Sequence, residues 1–306
     1  MVHQENGRFT DSSGNRIAWY GWQPKTDPVA VVQLSHGMCE YVERYQPLAE
    51  FLCRQGVAFY GHDHPGHGQS AAGWEELGYF RAKDGASLLV EDLRQMHLQL
   101  CKRFPELPIF LLGHSMGSFV ARAYLSRYAD GLAGAVICGT SGGNPAAGLG
   151  KMLAELVVRV KGGHHRSRLL NQLAFGSYNK RFGNRTPYEW LTRDQEIVDR
   201  YAADPFCNYI FTAAGFRDLF SLLEQVSASD WAGGIPDDLP LLLIAGEEDP
   251  VGDYGKGVEQ VAARLREAGV QDLTLRLYPQ DRHEIFNELD RQTVYEELWQ
   301  WIQQRL

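Results

Sequence analysis

Ser115 stands in Gly113-His114-Ser115-Met116-Gly117, directly after the apolar run Ile109 to Leu112 and directly before a helical pattern that reaches Tyr128. Strand, sharp turn and helix make the setting a nucleophilic serine needs. The turn holds the hydroxyl clear of the sheet, while the helix start offers unpaired N–H donors to a negative oxygen developing on a substrate. The flanking glycines fit because a strained serine backbone brings neighbouring chain too close for side chains. The five-residue pattern alone decides little, since Gly139-Thr140-Ser141-Gly142-Gly143 repeats it after the apolar run Ala135 to Cys138. There Asn144 and Pro145 follow and no helix begins, so the second match reads as a strand end and a loop.

A serine hydroxyl is a weak nucleophile at neutral pH and needs a base within reach, together with an acid that orients the base and stabilises its charged form. On a strand-turn-helix elbow the chain order is serine, acid, histidine. Beyond residue 165 the sequence has a single histidine, His283, between the last expected strand and the last expected helix. The acid belongs at the C-terminal end of a strand, where open α/β sheets carry their sites. The run Leu241 to Pro250 ends in Glu247-Glu248-Asp249; Asp249 is the choice, with Glu248 and Asp253 as rivals. The two oxyanion donors are then the N–H groups of Met116, after the nucleophile, and Met38, after His36-Gly37 at the end of the third strand.

A different chemistry is suggested by His62, His64 and His67, three histidines in six residues, which invite a metal. Gly66 stands where the H-x-H-x-D-H motif of metallo-β-lactamase-like hydrolases needs an aspartate, so the favoured reading is a Gly-rich turn whose polar groups satisfy backbone beneath the site. Neither a metal nor a cofactor is called for.

The elements that must position these residues follow from the pattern of the whole chain. At 306 residues there is room for one large α/β domain with an insertion, and the net charge of −8, mixed along the chain, gives no reason to expect nucleic acid. No basic-then-apolar start and no apolar run of membrane-spanning length appear, so a cytoplasmic protein is expected. The five cysteines are never spaced C-x-x-C; four read as buried hydrophobes, and Cys39 is singled out because it lies beside Met38. An N-terminal hairpin (Gly7 to Thr10, Arg16 to Trp22) precedes alternating apolar runs and helices: Val29 to Leu34, Tyr45 to Cys53, Val57 to Tyr60, Leu88 to Phe104, Ile109 onward and Leu132 to Cys138. The alternation predicts a mostly parallel sheet with helices on both faces. From Gly142 to Trp231 it stops. Helical stretches such as Met152 to Val160 and Phe216 to Val226 read as a cap over the site, so residues 1–141 and 232–306 form the core and 142–231 the insertion. The alternation resumes with Leu239 to Ala245, Gly257 to Ala268, Leu273 to Tyr278 and a final helix.

With these residues in place, the sequence resembles the α/β-hydrolase superfamily, and within it the monoglyceride lipase and lysophospholipase branch. The resemblance rests on His36-Gly37-Met38 with Glu40, Arg44 and Tyr45, on Asp63, Gly66, Gly68 and Ser70, and on Gly113 to Gly117. It continues in Asp249-Pro250-Val251, Gly255-Lys256-Gly257 and Arg282-His283-Glu284 with Asn287-Glu288. It implies a Ser115, Asp249, His283 triad hydrolysing carboxylic esters through an acyl-enzyme, with Met38 and Met116 as the oxyanion hole. Two departures stand out: Ser118 replaces a glycine that often follows the elbow, and Pro65 occupies a position otherwise variable.

The resemblance suggests monoacylglycerols or lysophospholipids as substrates. Met152, Leu153, Leu156, Val157 and Val160 are expected either to line an acyl channel or to pack the cap, and Lys161, His164, His165, Arg166 and Arg168 to form a solvated basic loop or to meet a head group or membrane surface. Two other classes remain open at this point. A peptidase of the same superfamily would need cap carboxylates such as Glu189, Asp194, Glu196 or Asp204 to hold a substrate amine, and a ligand receptor would keep the pocket without the chemistry.

Overall fold

The computed structural model describes residues 2–306. The hairpin strands β1 (His3–Thr10) and β2 (Arg16–Gln23) pair antiparallel, and β2 pairs antiparallel with β4 (Val57–His62). The rest of the eight-stranded sheet is parallel: β3 (Ala30–Ser35), β5 (Ile109–His114), β6 (Leu132–Cys138), β7 (Leu241–Gly246) and β8 (Leu273–Tyr278) complete the order β1-β2-β4-β3-β5-β6-β7-β8. β3, β5 and β7 are buried on both faces, as their uninterrupted apolar runs require.

Alternate residues feed two separate cores. Leu111, Ile137 and Leu243 face one layer with α2 (Gly85–Arg103), α3 (Met116–Tyr128) and α8 (Lys256–Glu267), whereas Phe110, Leu112, Val136 and Ile244 face the other with α1 (Gln46–Arg54) and α9 (Arg291–Gln303). Each core strand is thus clamped from both sides, and its C-terminal end becomes a fixed platform for the loops. No helix among the described residues is long and apolar enough to cross a membrane.

Between β6 and β7 lie four helices: α4 (Ala147–Lys161), α5 (Arg168–Phe175), α6 (Gln195–Ala203) and α7 (Ala213–Ser227). The sequence pattern names α4 and α7; α5 and α6 are short, and their start signals are local. Ser167 caps α5 by accepting from Leu170 N–H, and Asp194 caps α6 by accepting from Glu196 and Ile197 N–H. α7 packs on α2 and α3, and α4 packs on α7.

Both ends of this segment are tied to core helices by arginines. Arg122 of α3, fully buried, donates to Thr140 Oγ1 (3.3 Å), Ser141 O (2.9 Å) and Val226 O (2.6 Å), with its guanidinium over the Trp231 ring at 4.1 Å. Among the described residues no carboxylate pairs with it, and burial pushes the guanidinium down to about 9. Arg264 of α8 donates to Ser227 O at 2.9 Å.

Two expectations for this segment change. Met152, Leu156 and Val160 neither line a channel nor pack inward: they are 66, 55 and 71 % exposed, and Leu149, Leu169 and Leu173 join them on the same outer surface. Helical spacing shows that a stripe exists but not what it faces. Leu153 and Val157 do pack against the core, and Leu153 lines the cavity described below. The basic run is not simply solvated either. Arg166 donates to Ile210 O, Trp74 O (3.1 Å) and Glu75 O (3.3 Å), and His164 stacks on Tyr79 at 3.9 Å, so these two residues pin the chain after α4 to the loop around residue 75.

Candidate active site

Ser115 sits at the tip between β5 and α3 with φ 53° and ψ −122°, a backbone conformation that is strained for a residue with a side chain. Close packing enforces it. A Cβ on Gly117 would lie 2.0 Å from Ser35 O, and one on Gly113 would lie 2.6 Å from both Ala121 Cβ and Gly117 O. Ser118, the departure from the usual glycine, is fully buried and donates to Ser115 O at 2.5 Å, so its hydroxyl becomes part of the turn.

The Ser115 hydroxyl lies 2.8 Å from His283 Nε2, and His283 Nδ1 lies 2.9 Å from Asp249 Oδ2. The protons can be placed by role: a carboxylate only accepts, so Nδ1–H donates to Asp249, and Nε2 is left to accept from the serine. Asp249 is fully buried, and its other oxygen accepts Val251 N–H at 2.8 Å, which fixes the carboxylate plane. The rivals do not reach the imidazole: neither Glu248 nor exposed Asp253 hydrogen-bonds His283.

Met38 and Met116 both border the cavity in front of Ser115, and among the described residues neither backbone N–H donates a hydrogen bond. The loop carrying Met38 is held from behind by a buried charge cluster. Glu40 accepts from Gly37 N–H, Tyr45 OH (2.8 Å), His114 Nδ1 (3.1 Å) and Arg44 (2.9 Å), and Arg44 grips Glu284 with two bonds of 2.8 and 2.7 Å. Burial opposes a charge on Glu40, yet His114 and Arg44 hold its carboxyl well below the usual range. Burial likewise opposes a cation at His114, and Glu40 outweighs it, raising that imidazole. His114 Nε2 lies 3.2 Å from His283 O, so the Met38 loop, the Ser115 turn and the His283 loop meet in one network. Glu40, Arg44 and Tyr45 were visible as a motif, but nothing in their spacing tells that they join three loops.

The three-histidine run forms a polar bed under the elbow. His62, His64 and His67 are buried; His64 Nε2 lies 3.1 Å from Ser35 Oγ, His67 Nδ1 lies 3.0 Å from Pro65 O, and His36 Nε2 accepts His64 N–H at 2.9 Å. Asp63 accepts Val42 and Gln69 N–H, closing the Gly-rich turn. Burial holds His36 and His62 down to about 3 and His67 to about 4. Their ligand atoms do not converge; among the described residues the one group close enough for a cation is Asp281, Glu288 and Asp290, and the Arg193 guanidinium already fills it.

Cys39 is 5 % exposed, its thiol directed at Tyr209 O (3.5 Å) and pushed well up by burial. The expected exception among the cysteines is thus as buried as Cys53, Cys138 and Cys207; Cys101 is the most accessible.

The cavity holds about 540 Å³, and its lining mixes apolar and polar side chains. Leu149, Leu153, Leu173, Phe220 and Leu223 of α4, α5 and α7 are among its apolar residues, and Glu40, Tyr201 and Glu284 among its polar ones. Glu40 and Glu284 are the only carboxylates on the lining, both engaged by Arg44, and no Lys or Arg lines it among the described residues. The carboxylates weighed for gripping an amine lie elsewhere: Glu189 pairs with Arg185 and Thr186, Asp194 caps α6, Glu196 faces solvent and Asp204 accepts from Tyr41.

This sheet order, with a strained serine turn after β5 and helices on both faces, defines an α/β-hydrolase. A solved carboxyl esterase from Bacillus coagulans in complex with glycerol superposes with a TM-score of 0.92 at 30% identity, covering 98% of each chain. The chain belongs to the family described as serine aminopeptidase, S33, which matches residues 26–290. It is 32% identical to a monoacylglycerol lipase of Mycolicibacterium smegmatis over 96% of this chain and 95% of that one, and 30% identical to human monoglyceride lipase over 100% and 92%.

Proposed function

We propose that this protein hydrolyses the ester bond of monoacylglycerols through an acyl-enzyme on Ser115. The relatives whose names are monoacylglycerol lipase and monoglyceride lipase support the substrate class, and the hydrogen-bonded chain Ser115–His283–Asp249, with Ser115 and His283 on the cavity lining, carries the mechanism.

His283 Nε2 takes the Ser115 proton as Oγ attacks the ester carbonyl, and Asp249 stabilises the imidazolium through Nδ1–H. The tetrahedral oxygen receives the Met38 and Met116 N–H groups; losing one such donor typically costs about a hundredfold to a thousandfold in rate. His283 then protonates the leaving glycerol oxygen, the acyl-enzyme forms, and water activated by the same imidazole releases the fatty acid. The leucines and Phe220 on the lining suit one acyl chain, and the polar lining groups suit a small hydroxylated head. The absence of a basic side chain on the described lining favours a neutral head over the phosphate of a lysophospholipid. The lack of an unpaired carboxylate there favours an ester over the aminoacyl amide that the family's description brings to mind, because a substrate ammonium would find no counter-charge.

Residues 142–231 act in this reading as a cap that both walls the acyl site and meets the lipid. Leu149 and Leu173 are 61 and 59 % exposed and also line the cavity, so the outer stripe of α4 and α5 is continuous with the mouth. Transient contact of that stripe with a lipid surface would let an acyl chain enter without crossing water.

The test is a panel of monoacylglycerols, lysophosphatidylcholines and aminoacyl amides assayed with wild type and Ser115→Ala. Monoacylglycerol should be turned over fastest and the variant should lose nearly all turnover. Preference for the amides, or an active Ser115→Ala, would defeat the reading.

A further inference from the structure

His283 sits on a loop, and a loop aims a side chain well only when its backbone is fastened. On the sheet side the fastening comes from the end of β7. Glu248 N–H donates to Asp281 O at 2.9 Å, and Gly246 comes so close that a Cβ there would lie 2.3 Å from Arg282 O. On the other side it comes from the helical segment. His283 N–H donates to Trp190 O (3.4 Å) and Glu284 N–H to Leu191 O (2.7 Å), so residues 190–191 run beside 283–284 as a two-rung ladder. Arg282 reaches Glu189 O and Thr192 O across the same seam, and the Trp190 ring centroid lies 5.0 Å from that of His283.

This strap is itself anchored by one ion cluster. Arg193 N–H and Nε donate to the two oxygens of Glu288, each at 3.0 Å, and Arg193 Nη2 reaches Asp281 and Asp290 (2.6 Å). Glu288 is fully buried, and the oxygen that accepts Arg193 N–H also accepts Arg282 N–H at 2.9 Å. A single carboxylate oxygen therefore ties residue 193 of the strap to residue 282, the neighbour of the histidine. Thr192 Oγ1 adds a bond to Asn287 O at 3.1 Å. Burial and the Glu288 charge push Asp281 up to about 8, against the pull of Arg193.

We propose that Arg193 and Glu288 are positioning residues for the hydrolytic reaction: by locking the 189–193 strap onto the 282–284 loop they aim His283 Nε2 at Ser115. Neither touches the substrate cavity. The proposal rests on His283 as the base, and it predicts that any opening of the cavity spares residues 189–193.

The experiment compares Glu288→Gln, Arg193→Gln and Arg193→Lys with wild type on a water-soluble short-chain ester, following kcat and KM separately. Thermal melting and the far-downfield proton resonance of the His283–Asp249 hydrogen bond are recorded for each. Both glutamine variants should lose about ten- to a hundredfold in kcat, the scale of an ångström-sized misplacement, with KM within about twofold. The resonance should weaken or shift. Arg193→Lys should recover part of kcat but not all, because an ammonium cannot bridge Glu288 and Asp281 as a planar fork does. Glutamine variants that keep kcat within twofold, a loss confined to KM, or a kcat loss with the resonance unmoved would each overturn the proposal. If Arg193→Gln does not fold, an Arg193→Lys enzyme with wild-type kcat overturns it equally. His283→Ala separates the two levels: activity in that variant defeats the base assignment, whereas an inactive His283→Ala beside normal Arg193 and Glu288 variants defeats only the strap.

Discussion

The chain writes Gly-x-Ser-x-Gly twice, at Gly113 to Gly117 and at Gly139 to Gly143, and the two copies end adjacent strands. They are close enough that Ser115 N–H donates to Cys138 O at 3.0 Å. The first is a turn held open by contact: Gly117 would place a Cβ 2.0 Å from Ser35 O, and Ser115 is strained at φ 53°. The second is a doorway: Ser141 O accepts Arg122, and a Cβ on Gly143 would meet only the Arg264 guanidinium at 3.1 Å, the movable end of a side chain. A pattern of residue types records what a turn permits. What the turn is used for depends on what presses against it.

The sharpest break in the comparison is between the two serines. Ser115→Ala should lower kcat by roughly four orders of magnitude or more, because triad members act as a unit, whereas Ser141→Ala should stay within about threefold. Equal losses in steady-state ester hydrolysis would erase the distinction. The flanking glycines come next. Gly117→Ala should lower kcat at least tenfold and reduce the melting temperature, since the methyl must displace backbone; Gly143→Ala should change both little. A third effect separates the loop behind the elbow from the doorway: Glu40→Gln, which takes the charge from the group gripping Gly37 N–H, should cost about tenfold in kcat, measured where KM is saturated.

The last effect concerns stability and not rate. Next to the elbow lie the buried histidines His36, His62, His64 and His67. His62 has no hydrogen-bond partner on either ring nitrogen, and burial holds it down to about 3 against an unfolded value near 6.5. Its native neutrality therefore costs nothing above about pH 6.5, and stability is lost as pH falls from there towards 3, at about 1.4 kcal/mol per pH unit. In urea titrations His62→Leu should gain on wild type as pH drops from 6.5 to 4; a constant difference would refute the assignment.

Much of this was legible in sequence where chemistry demanded residue types at strand ends. Ser115, Asp249 and His283, which lie in one hydrogen-bonded chain, were singled out through chain order and strand-end position, and the strands through apolar runs that burial on both faces enforces. The helical segment was harder for a physical reason. The stripe Met152, Leu156, Val160 has core-like spacing, but an apolar face directed outward and one directed inward are written alike. The Arg193–Glu288 anchor was also invisible, because residues 95 apart become partners only when the strap is laid beside the histidine loop. Its sole trace was Glu288, which stood in the motif with no role attached.

Arg122 bears on how the molecule comes apart. Its Nη1 and Nη2 groups donate to carbonyls at both ends of the helical segment, and it sits in the helix that follows Ser115. A guanidinium stripped of water with no carboxylate to fall back on cannot release one end cheaply. The segment and the core therefore share a common breaking point, and heating should melt them in a single transition, with the nucleophile lost at the temperature at which the segment goes.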